Sequence, residues 1–298
     1  MSVKISELTE TTSVASSDFL VLNTSSGTKK ITSANLQKAN TDALKVFSTD
    51  PVAAHNSIYR GKVLVDTVGS AGTYSIDQLH ALVNAGNFSD IYVGDIIRVS
   101  LGGTTRDLVV SAIDWYIHTG DTELTKHHLV LVPSSIIGNA SMNATNTTAG
   151  GYYGSVMHTT TLQETYLPLF QAALGTDRVI SYRDMLSNSV DTDAASGAYS
   201  GWKGASNNWA WYDVKIRLLN EVDVYGTRVL SSSFYDVGTH NRQLPAFRLN
   251  PRMMLRRANW WLSSVTNSGT FAGVLAGGYA YNYAASGSNG VVPMVLFN

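Results

Sequence analysis

The sequence predicts an α+β protein built from short helices and strands with long loops between them. Two observations predict strands: apolar and polar residues alternate over 96–101, and again at Val214, Ile216 and Leu218. A third predicts helices, because apolar stripes at helical spacing follow capping residues such as Ser75. No internal repeat of fixed period is visible.

Residues 1–55 are predicted to form a small segment of their own. Gly27 lies between two β-like pieces and indicates a hairpin turn. Thr32 or Ser33 can cap a helix that runs to about Phe47. One face of that helix carries Leu36, Asn40, Ala43 and Phe47. This spacing fits either an ordinary packed helix or a short seam between two or three chains.

Residues 56–298 are predicted to form a second domain, β-rich over 56–135, with its core over 136–298. In its first part we expect a strand within 59–68, a helix from Ser75 to Gly86, a hairpin over 91–113 that turns at Gly102-Gly103, and a strand over 129–132.

Two further helices and a long loop are predicted after residue 135. Thr161 and Glu164 have capping-box spacing and indicate a helix through Leu174, which Pro168 should kink or delay. Ser181 with Asp184 indicates a short helix over 182–189. Residues 191–208 are rich in Gly, Ala and Ser and read as a loop.

Composition excludes several classes of function. Only 14% of the residues are charged and the net charge is −1, so nothing favours a nucleic-acid partner. There is no cysteine, which excludes disulfides, zinc–thiolate sites and cysteine nucleophiles. No apolar run approaches membrane-spanning length, and the start lacks the apolar region of a secretory signal peptide. We therefore expect synthesis in a cytoplasm and no membrane insertion.

The charge that remains is unevenly distributed. Five arginines lie between 242 and 257 with no acidic residue among them, namely Arg242, Arg248, Arg252, Arg256 and Arg257. We expect them to pair with acidic residues upstream, since the whole chain balances, rather than to form an anion site. Residues 258–298 carry no Lys, Arg, Asp, Glu or His.

The uncharged C-terminal stretch has the composition of a recognition surface. Tyr, Ser, Gly and Asn make up 19 of its 41 residues. Tyrosine supplies rigid contact area, and the small polar residues adapt their hydrogen bonds. Tyr279, Tyr281 and Tyr283 alternate with small residues, so in an extended strand all three point to one face. Residues expected in the core are Phe271, Val274, Val291, Val295 and Leu296. The tryptophans at 202, 209, 211, 260 and 261 are also expected to be core or loop-pinning residues.

The order of motifs in this stretch resembles that of a known group. Trp260-Trp261-Leu262-Ser263-Ser264, a variable-looking stretch and Gly290-Val291-Val292-Pro293 resemble the WWLR-type strand, display region and closing GVRP strand of C-type-lectin-fold phage proteins related to the major tropism determinant. Ser263 and Val292 stand where that group often has Arg. Other segments resemble a phage and prophage branch of the same group; they are 119–121, 126–130, 142–143, 146–152, Arg183, 211–213 and 220–226. Residues 4–36 separately resemble the attachment segments of phage tail and fibre proteins.

The resemblance implies that residues 56–298 form a C-type-lectin-like domain, with a lectin-like core and display region over 136–298, after an attachment or oligomerisation segment over 1–55. It implies a bacteriophage virion structural protein on the virion surface, a head or tail fibre or receptor-binding protein active in host adsorption. It implies a homotrimer that contacts other virion proteins through residues 1–55 and a host cell-surface ligand, glycan or protein, through an uncharged surface. The residues expected on that surface are Ser264, Asn267, Tyr279, Tyr281, Tyr283, Ser286 and Asn289. A head-decoration or collar protein that binds no receptor is the alternative.

No motif predicts an enzyme, a metal or a cofactor. The sequence holds no G-x-S-x-G elbow, P-loop or G-x-G-x-x-G. His127 and His128 are adjacent, so on a strand they face opposite ways and cannot bind one ion together. A glycan-degrading fibre is the less favoured alternative, since it needs two carboxylates across a cleft. The candidates for such a pair are Glu164, Asp177, Asp184, Asp213 and Glu221.

Overall fold

The chain divides into two compact units, Met1–Ala54 and His55–Asn298. The computed structural model describes residues 19–24, 27–32, 35, 52, 55–190, 208–231 and 242–298. Helices and mixed sheets are both present, so the α+β class is as the sequence predicts.

The first unit contains the predicted hairpin. Strand β1 (Phe19–Thr24) pairs antiparallel with β2 (Gly27–Thr32). The backbone N–H of Asn35 donates to Thr32 Oγ1 at 3.2 Å, which is the contact that a capping threonine makes at the start of a helix. The helix face that carries Leu36, Ala43 and Phe47 lies outside the described residues, so the oligomerising seam remains a prediction.

The core of the second unit is a seven-stranded sheet in the order β11-β16-β6-β5-β4-β3, with β8 also paired to β16. Its strands are β3 (Val63–Asp66), β4 (Ile96–Leu101), β5 (Thr104–Ile113), β6 (Leu129–Pro133), β8 (Val179–Ile180), β11 (Ile216–Leu218) and β16 (Pro293–Phe297). The predicted hairpin and the strand at 129–132 are confirmed. Gly102 and Gly103 make the turn of this hairpin, between β4 and β5, with φ of 58° and 82°, a conformation that favours glycine.

A second sheet of five strands has the order β14-β13-β12-β15-β7. Its strands are β7 (Gly138–Ala140), β12 (Trp260–Asn267), β13 (Thr270–Val274), β14 (Ala280–Ala284) and β15 (Asn289–Val291). Trp260 and Trp261 on β12 are fully buried, as expected. The five apolar residues of the C-terminal stretch expected in the core are fully buried too. Trp209 and Trp211 are half-buried, and Trp202 lies outside the described residues.

A two-stranded sheet corrects two sequence predictions. Residues 182–189 were expected to be helical, but β9 (Tyr182–Ser187) is a strand paired with β10 (Trp209–Val214). Tyr182 and Asp184 are both buried, so alternate side chains of this stretch point inward, and inward burial outweighs the local capping signal of Ser181. The alternating run 214–218 also divides at Lys215, because Val214 ends β10 and β11 belongs to the larger sheet.

One of the two longer predicted helices begins at its expected capping residue and the other does not. Helix α1 (Ile76–Asn84) starts at Ser75, whose side chain and that of Gln78 form a capping box, and ends before Gly86 at φ 65°, which confirms the prediction. Helix α2 (Leu167–Leu174) does not start at Thr161: it continues a π-helix, Met157–Tyr166, that runs through the expected cap. Pro168 is the second residue of α2, which begins directly after the π-helix ends at Tyr166.

Two short helices and a turn of 3₁₀-helix complete the unit: α3 (Glu221–Tyr225), α4 (Pro245–Leu249) and the 3₁₀-helix Pro251–Met254. Among the described residues, no helix combines the length and the apolar character needed to cross a membrane.

A buried arginine on β11 connects these elements. Arg217 donates from Nε to Asp184 on β9 and from Nη1 to Asp223 on α3, both at 2.7 Å. Its Nη2 donates to the hydroxyl of Tyr116 at 2.8 Å, and its Nε lies 3.0 Å from the hydroxyl of Tyr182. All five residues are buried. We call them the Arg217 cluster.

Removing the cation of the Arg217 cluster should strongly destabilise the protein. Arg217→Ala leaves Asp184 and Asp223 buried without their counter-charge, which costs about 3–5 kcal/mol. The matched control is Arg183→Ala, whose partners Asp121 and Asp213 lie at the surface and whose loss should cost at most about 1 kcal/mol. Urea unfolding measures both, and equal losses would contradict this role of the cluster.

Candidate functional site

Most of the residues expected at the binding surface lie on β14 and on the turns beside it. In the β13–β14 pairing, Gly273 stands opposite Tyr281 and Phe271 opposite Tyr283. Residues directly opposite each other share a face of a sheet, so Tyr281 and Tyr283 lie on one face. Their ring centroids are 5.1 Å apart. Tyr279 precedes β14 in the same alternation, and we call these three residues the tyrosine face.

Exposure decreases along the tyrosine face. Tyr279 is 75% exposed and Tyr281 49%, while Tyr283 is half-buried. Leu255, 51% exposed, extends the surface at its open end, since its Cδ2 lies 3.0 Å from where a Cβ on Gly278 would be. The hydroxyl of Tyr225 donates to the carbonyl of Gly278 at 3.1 Å and holds this turn in place. Large aromatic side chains are therefore presented from an anchored turn.

A missing side chain explains why Tyr283 is half-buried. A Cβ on Gly273 would lie 2.8 Å from ring atoms of Tyr283, so this ring occupies the space that the glycine leaves open. The same ring meets Trp261 edge-on, with centroids 5.6 Å apart. Trp261 is itself fixed by a hydrogen bond from Nε1 to the carbonyl of Ala140 at 2.8 Å. Trp261 and Tyr283 thus form a packed base for the exposed tyrosines.

The phenol of Tyr283 is unusually desolvated. Its oxygen is buried and has no hydrogen-bond partner within the described parts of the chain. Burial, with a smaller contribution from Tyr281, raises the pKa of Tyr283 to about 12. The ring is therefore held by packing rather than by its hydroxyl.

A polar rim lies at the other end of the hairpin. The N–H and Oγ of Ser286 both donate to Asn146 Oδ1, at 3.1 and 2.5 Å. Asn267 Oδ1 accepts from the N–H of Gly269 at 2.9 Å, and its carbonyl accepts from Thr148 Oγ1 at 2.7 Å. Asn146, Asn267 and Ser286 are exposed beside the turns they hold. These three residues are the polar rim.

One expected surface residue does not belong to this surface. Ser264 is fully buried, because α3 packs on β12 and the backbone N–H of Glu221 donates to Ser264 Oγ at 3.0 Å. Its placement at the binding surface was wrong. Asn289 is half-buried on β15, where it pairs with Ala140. Sequence reasoning did not include Asn146 or Leu255, because neither lies in the Tyr-, Ser- and Asn-rich stretch that marked the surface.

The five carboxylates considered for a glycan-degrading site have different surroundings in the structure. Asp184 belongs to the Arg217 cluster. Glu221 is fully buried, and its Oε2 accepts from the backbone N–H groups of Val229 and Ser231 at 3.1 and 2.9 Å. Glu164, Asp177 and Asp213 are exposed. The two buried carboxylates are thus saturated by protein groups.

The described residues include no cluster of three or more His, Asp or Glu able to hold a metal ion. His128 is buried, whereas the His127 side chain is 40% exposed and its Nδ1 lies 2.7 Å from Asp114 Oδ2. The two adjacent histidines therefore have different surroundings.

The arginines between 242 and 257 correct a further expectation. No described carboxylate forms an ion pair with Arg248, Arg252, Arg256 or Arg257. Arg256 instead lies over the ring of Trp260, 5.1 Å from its centroid, and donates to the carbonyl of Pro133 at 2.7 Å. Burial lowers the pKa of Arg256 to about 10. An aromatic ring and a carbonyl thus contact the Arg256 guanidinium where a carboxylate was expected.

Comparison with protein-family models, curated proteins and solved structures found no match to this chain.

A methyl group on Gly273 should disturb the tyrosine face. In Gly273→Ala the new Cβ would lie 2.7 Å from the carbonyl of Trp260 and 2.8 Å from the Tyr283 ring, so both must move. We expect a loss of about 1–3 kcal/mol in unfolding free energy. Gly277→Ala is the matched control, because the nearest atoms, on the Tyr279 ring, are 3.7 Å away. If urea unfolding gives the two variants the same stability, Tyr283 does not depend on the space above Gly273.

Removing the Tyr283 hydroxyl should not harm the fold. Tyr283→Phe loses no described hydrogen bond, so stability at neutral pH should be unchanged or slightly higher. The pKa of Tyr283 is about 12 in the folded protein, whereas an unfolded tyrosine titrates near pH 10. The Tyr283 hydroxyl stays protonated to a higher pH in the folded state than in the unfolded state. The stability that this difference contributes is lost as pH rises from about 10 to about 12. Unfolding midpoints should therefore fall less for Tyr283→Phe over that interval; superimposable alkaline profiles would contradict this.

Proposed function

We propose that this chain is a bacteriophage virion surface protein, a fibre or receptor-binding component, whose tyrosine face binds a ligand on the host cell. One observation carries the proposal: Tyr279 and Tyr281 are 75% and 49% exposed on a hairpin whose underside is anchored by buried Trp261. Soluble proteins seldom leave neighbouring large aromatic side chains open to water without a use for them.

The chemistry of the surface suits binding by contact area. Few side-chain torsions of each tyrosine become fixed on binding, so little conformational entropy is lost when its ring is covered. The polar rim of Asn146, Asn267 and Ser286 supplies neutral hydrogen-bonding groups at the other end of the hairpin. Residues 258–298 contain no charged side chain, so the affinity should depend only weakly on salt.

We further propose that residues 56–298 form a C-type-lectin-like domain, with its lectin-like core and display region over 136–298. The order and contacts of two motifs support this. The Trp-Trp motif begins β12, the closing Gly-Val-Val-Pro motif spans β15 and the start of β16, and Trp260 stands opposite Gly290 in parallel pairing. The two motifs that carry the resemblance are therefore neighbours in the sheet from which the tyrosine face projects.

In this proposal the partners are those that the resemblance implies. Residues 1–55 attach the chain to other virion proteins and hold three copies together, and the ligand is a glycan or a protein of the host surface. Three copies of a weak site on one particle would raise its avidity without any new contact.

Changing the two exposed tyrosines should remove cell binding. The full chain, labelled at a cysteine introduced at exposed Ser70, is tested by flow cytometry on a panel of bacterial strains. On a strain that the chain binds, Tyr279→Ser with Tyr281→Ser should weaken binding by about tenfold or more, because contact area at the centre of the surface is lost. Tyr283 is left in place because it packs on Trp261.

Val68→Ser is the control, since Val68 is 45% exposed on the turn after β3. Unchanged binding by the folded double variant would contradict the proposal as placed on this surface. Absence of binding to every strain would instead favour a head-decoration or collar protein.

A further inference from the structure

The outer edge of β14 is a separate feature from the tyrosine face. β14 is the last strand of its sheet, with β13 on one side and no strand of the described ranges on the other. Leu275 N–H donates to Tyr279 O at 2.8 Å and Ala285 N–H to Gly269 O at 2.9 Å. In an antiparallel pair the bonded residues alternate, so residues 279, 281, 283 and 285 turn their backbone groups toward β13. Ala280, Asn282 and Ala284 therefore turn theirs outward.

This edge lacks charge, proline and a bulge, three of the features that keep sheet edges from pairing. Proteins protect edge strands with charged side chains, proline, bulges or short length. Residues 280–284 contain no charge and no proline, and their register with β13 is unbroken over all five positions. Asn282 and Ala284 are exposed. An edge of this kind is a template for another strand.

The sequence of β14 reads the same in both directions. Ala280-Tyr281-Asn282-Tyr283-Ala284 is symmetric about Asn282, and Asn282 is one of the residues whose backbone faces outward. In an antiparallel pairing of two such strands centred on Asn282, the two Asn282 residues face each other and Tyr281 of each copy faces Tyr283 of the other. This is the self-complementary contact that a two-fold interface requires.

We propose that β14 pairs antiparallel with β14 of a second copy of this chain, with the two-fold axis at Asn282. The outward N–H and C=O groups of residues 280, 282 and 284 then form the new ladder. The carbonyl of Ala284 already accepts from Gly287 N–H at 2.8 Å, and its second lone pair receives the new bond. No like charges meet, and aromatic side chains pair across the strands.

The pairing joins two five-stranded sheets edge to edge, and both tyrosine faces then lie on the same side. It does not depend on what the tyrosine face binds. The pairing is also compatible with a homotrimer held by residues 1–55. Each chain of a trimer then pairs through β14 with a chain of another trimer, so the assembly contains an even number of chains.

A single introduced cysteine tests the contact and its register. The chain has no cysteine of its own, so in Asn282→Cys only the two introduced thiols can join. Directly opposite residues of a hydrogen-bonded antiparallel pair have Cα atoms about 5.5 Å apart, within the range of a disulfide. Under mild oxidation at low micromolar concentration, most of the full chain should become a covalent dimer. Ser288→Cys, exposed just beyond β14, should give only background cross-linking.

Charge substitutions test the same contact without a covalent bond. Asn282→Lys and Asn282→Asp each place like charges opposite each other, so the light-scattering mass of either should be half that of the unmodified chain. An equimolar mixture should regain the full mass, because opposite charges then face each other. The Asn282 side chain is exposed, so urea midpoints should show that all variants are folded.

Three results would each overturn the proposal: an unmodified chain that is a monomer or a simple trimer, a mass unaffected by Asn282→Lys, or equal cross-linking of Asn282→Cys and Ser288→Cys. The first is also the result expected if a strand of a different protein, rather than a second copy, occupies this edge.

Discussion

The guanidinium of Arg217 is the constraint on which the larger unit depends. A cation without water must be surrounded by opposite charge and by hydrogen-bond acceptors. Asp184 and Asp223 supply the charge, and they come from β9 and α3, on either side of β11 along the chain. Each element that contributes to the Arg217 cluster is therefore held in one orientation.

Consequences of that constraint reach the binding surface. With Asp223 held by Arg217, α3 lies against β12, and its Glu221 N–H meets Ser264. Ser264 is buried for this reason, although its type and position in the sequence suit a display surface. The carboxylate of Glu221, on the same helix, holds the backbone from Val229 to Ser231. The helix that contacts the buried charge is thus also the helix that covers Ser264.

Sequence patterns predicted the elements whose cause is local. The capping box of Ser75 and Gln78 and the turn at Gly102-Gly103 depend on residues within a few positions of each other. The strand at 182–187 was missed because its partners are distant in sequence: it pairs with β10, and Asp184 binds Arg217, 33 positions further on. The ion pair expected of Arg256 does not form among the described residues. Its guanidinium instead lies over the ring of Trp260 and donates to the carbonyl of Pro133, which is distant in sequence.

The candidate site shows the same division. Alternation predicts that Tyr279, Tyr281 and Tyr283 share a face, but only the pairing of β14 with β13 places Tyr283 above Gly273 and against Trp261. The absence of charge over 258–298 therefore serves two purposes. It allows Phe271 and Val274 to be buried, and it leaves β14 itself without a charged side chain.

Hydroxyl-radical footprinting of the full chain, free and bound to intact cells, measures whether the tyrosine face is covered by the ligand. Oxidation of Tyr279 and Tyr281 should fall on binding, while that of Tyr153, 37% exposed elsewhere on the unit, should be unchanged. Unchanged oxidation of Tyr279 and Tyr281, with protection at other residues, would contradict binding through the tyrosine face.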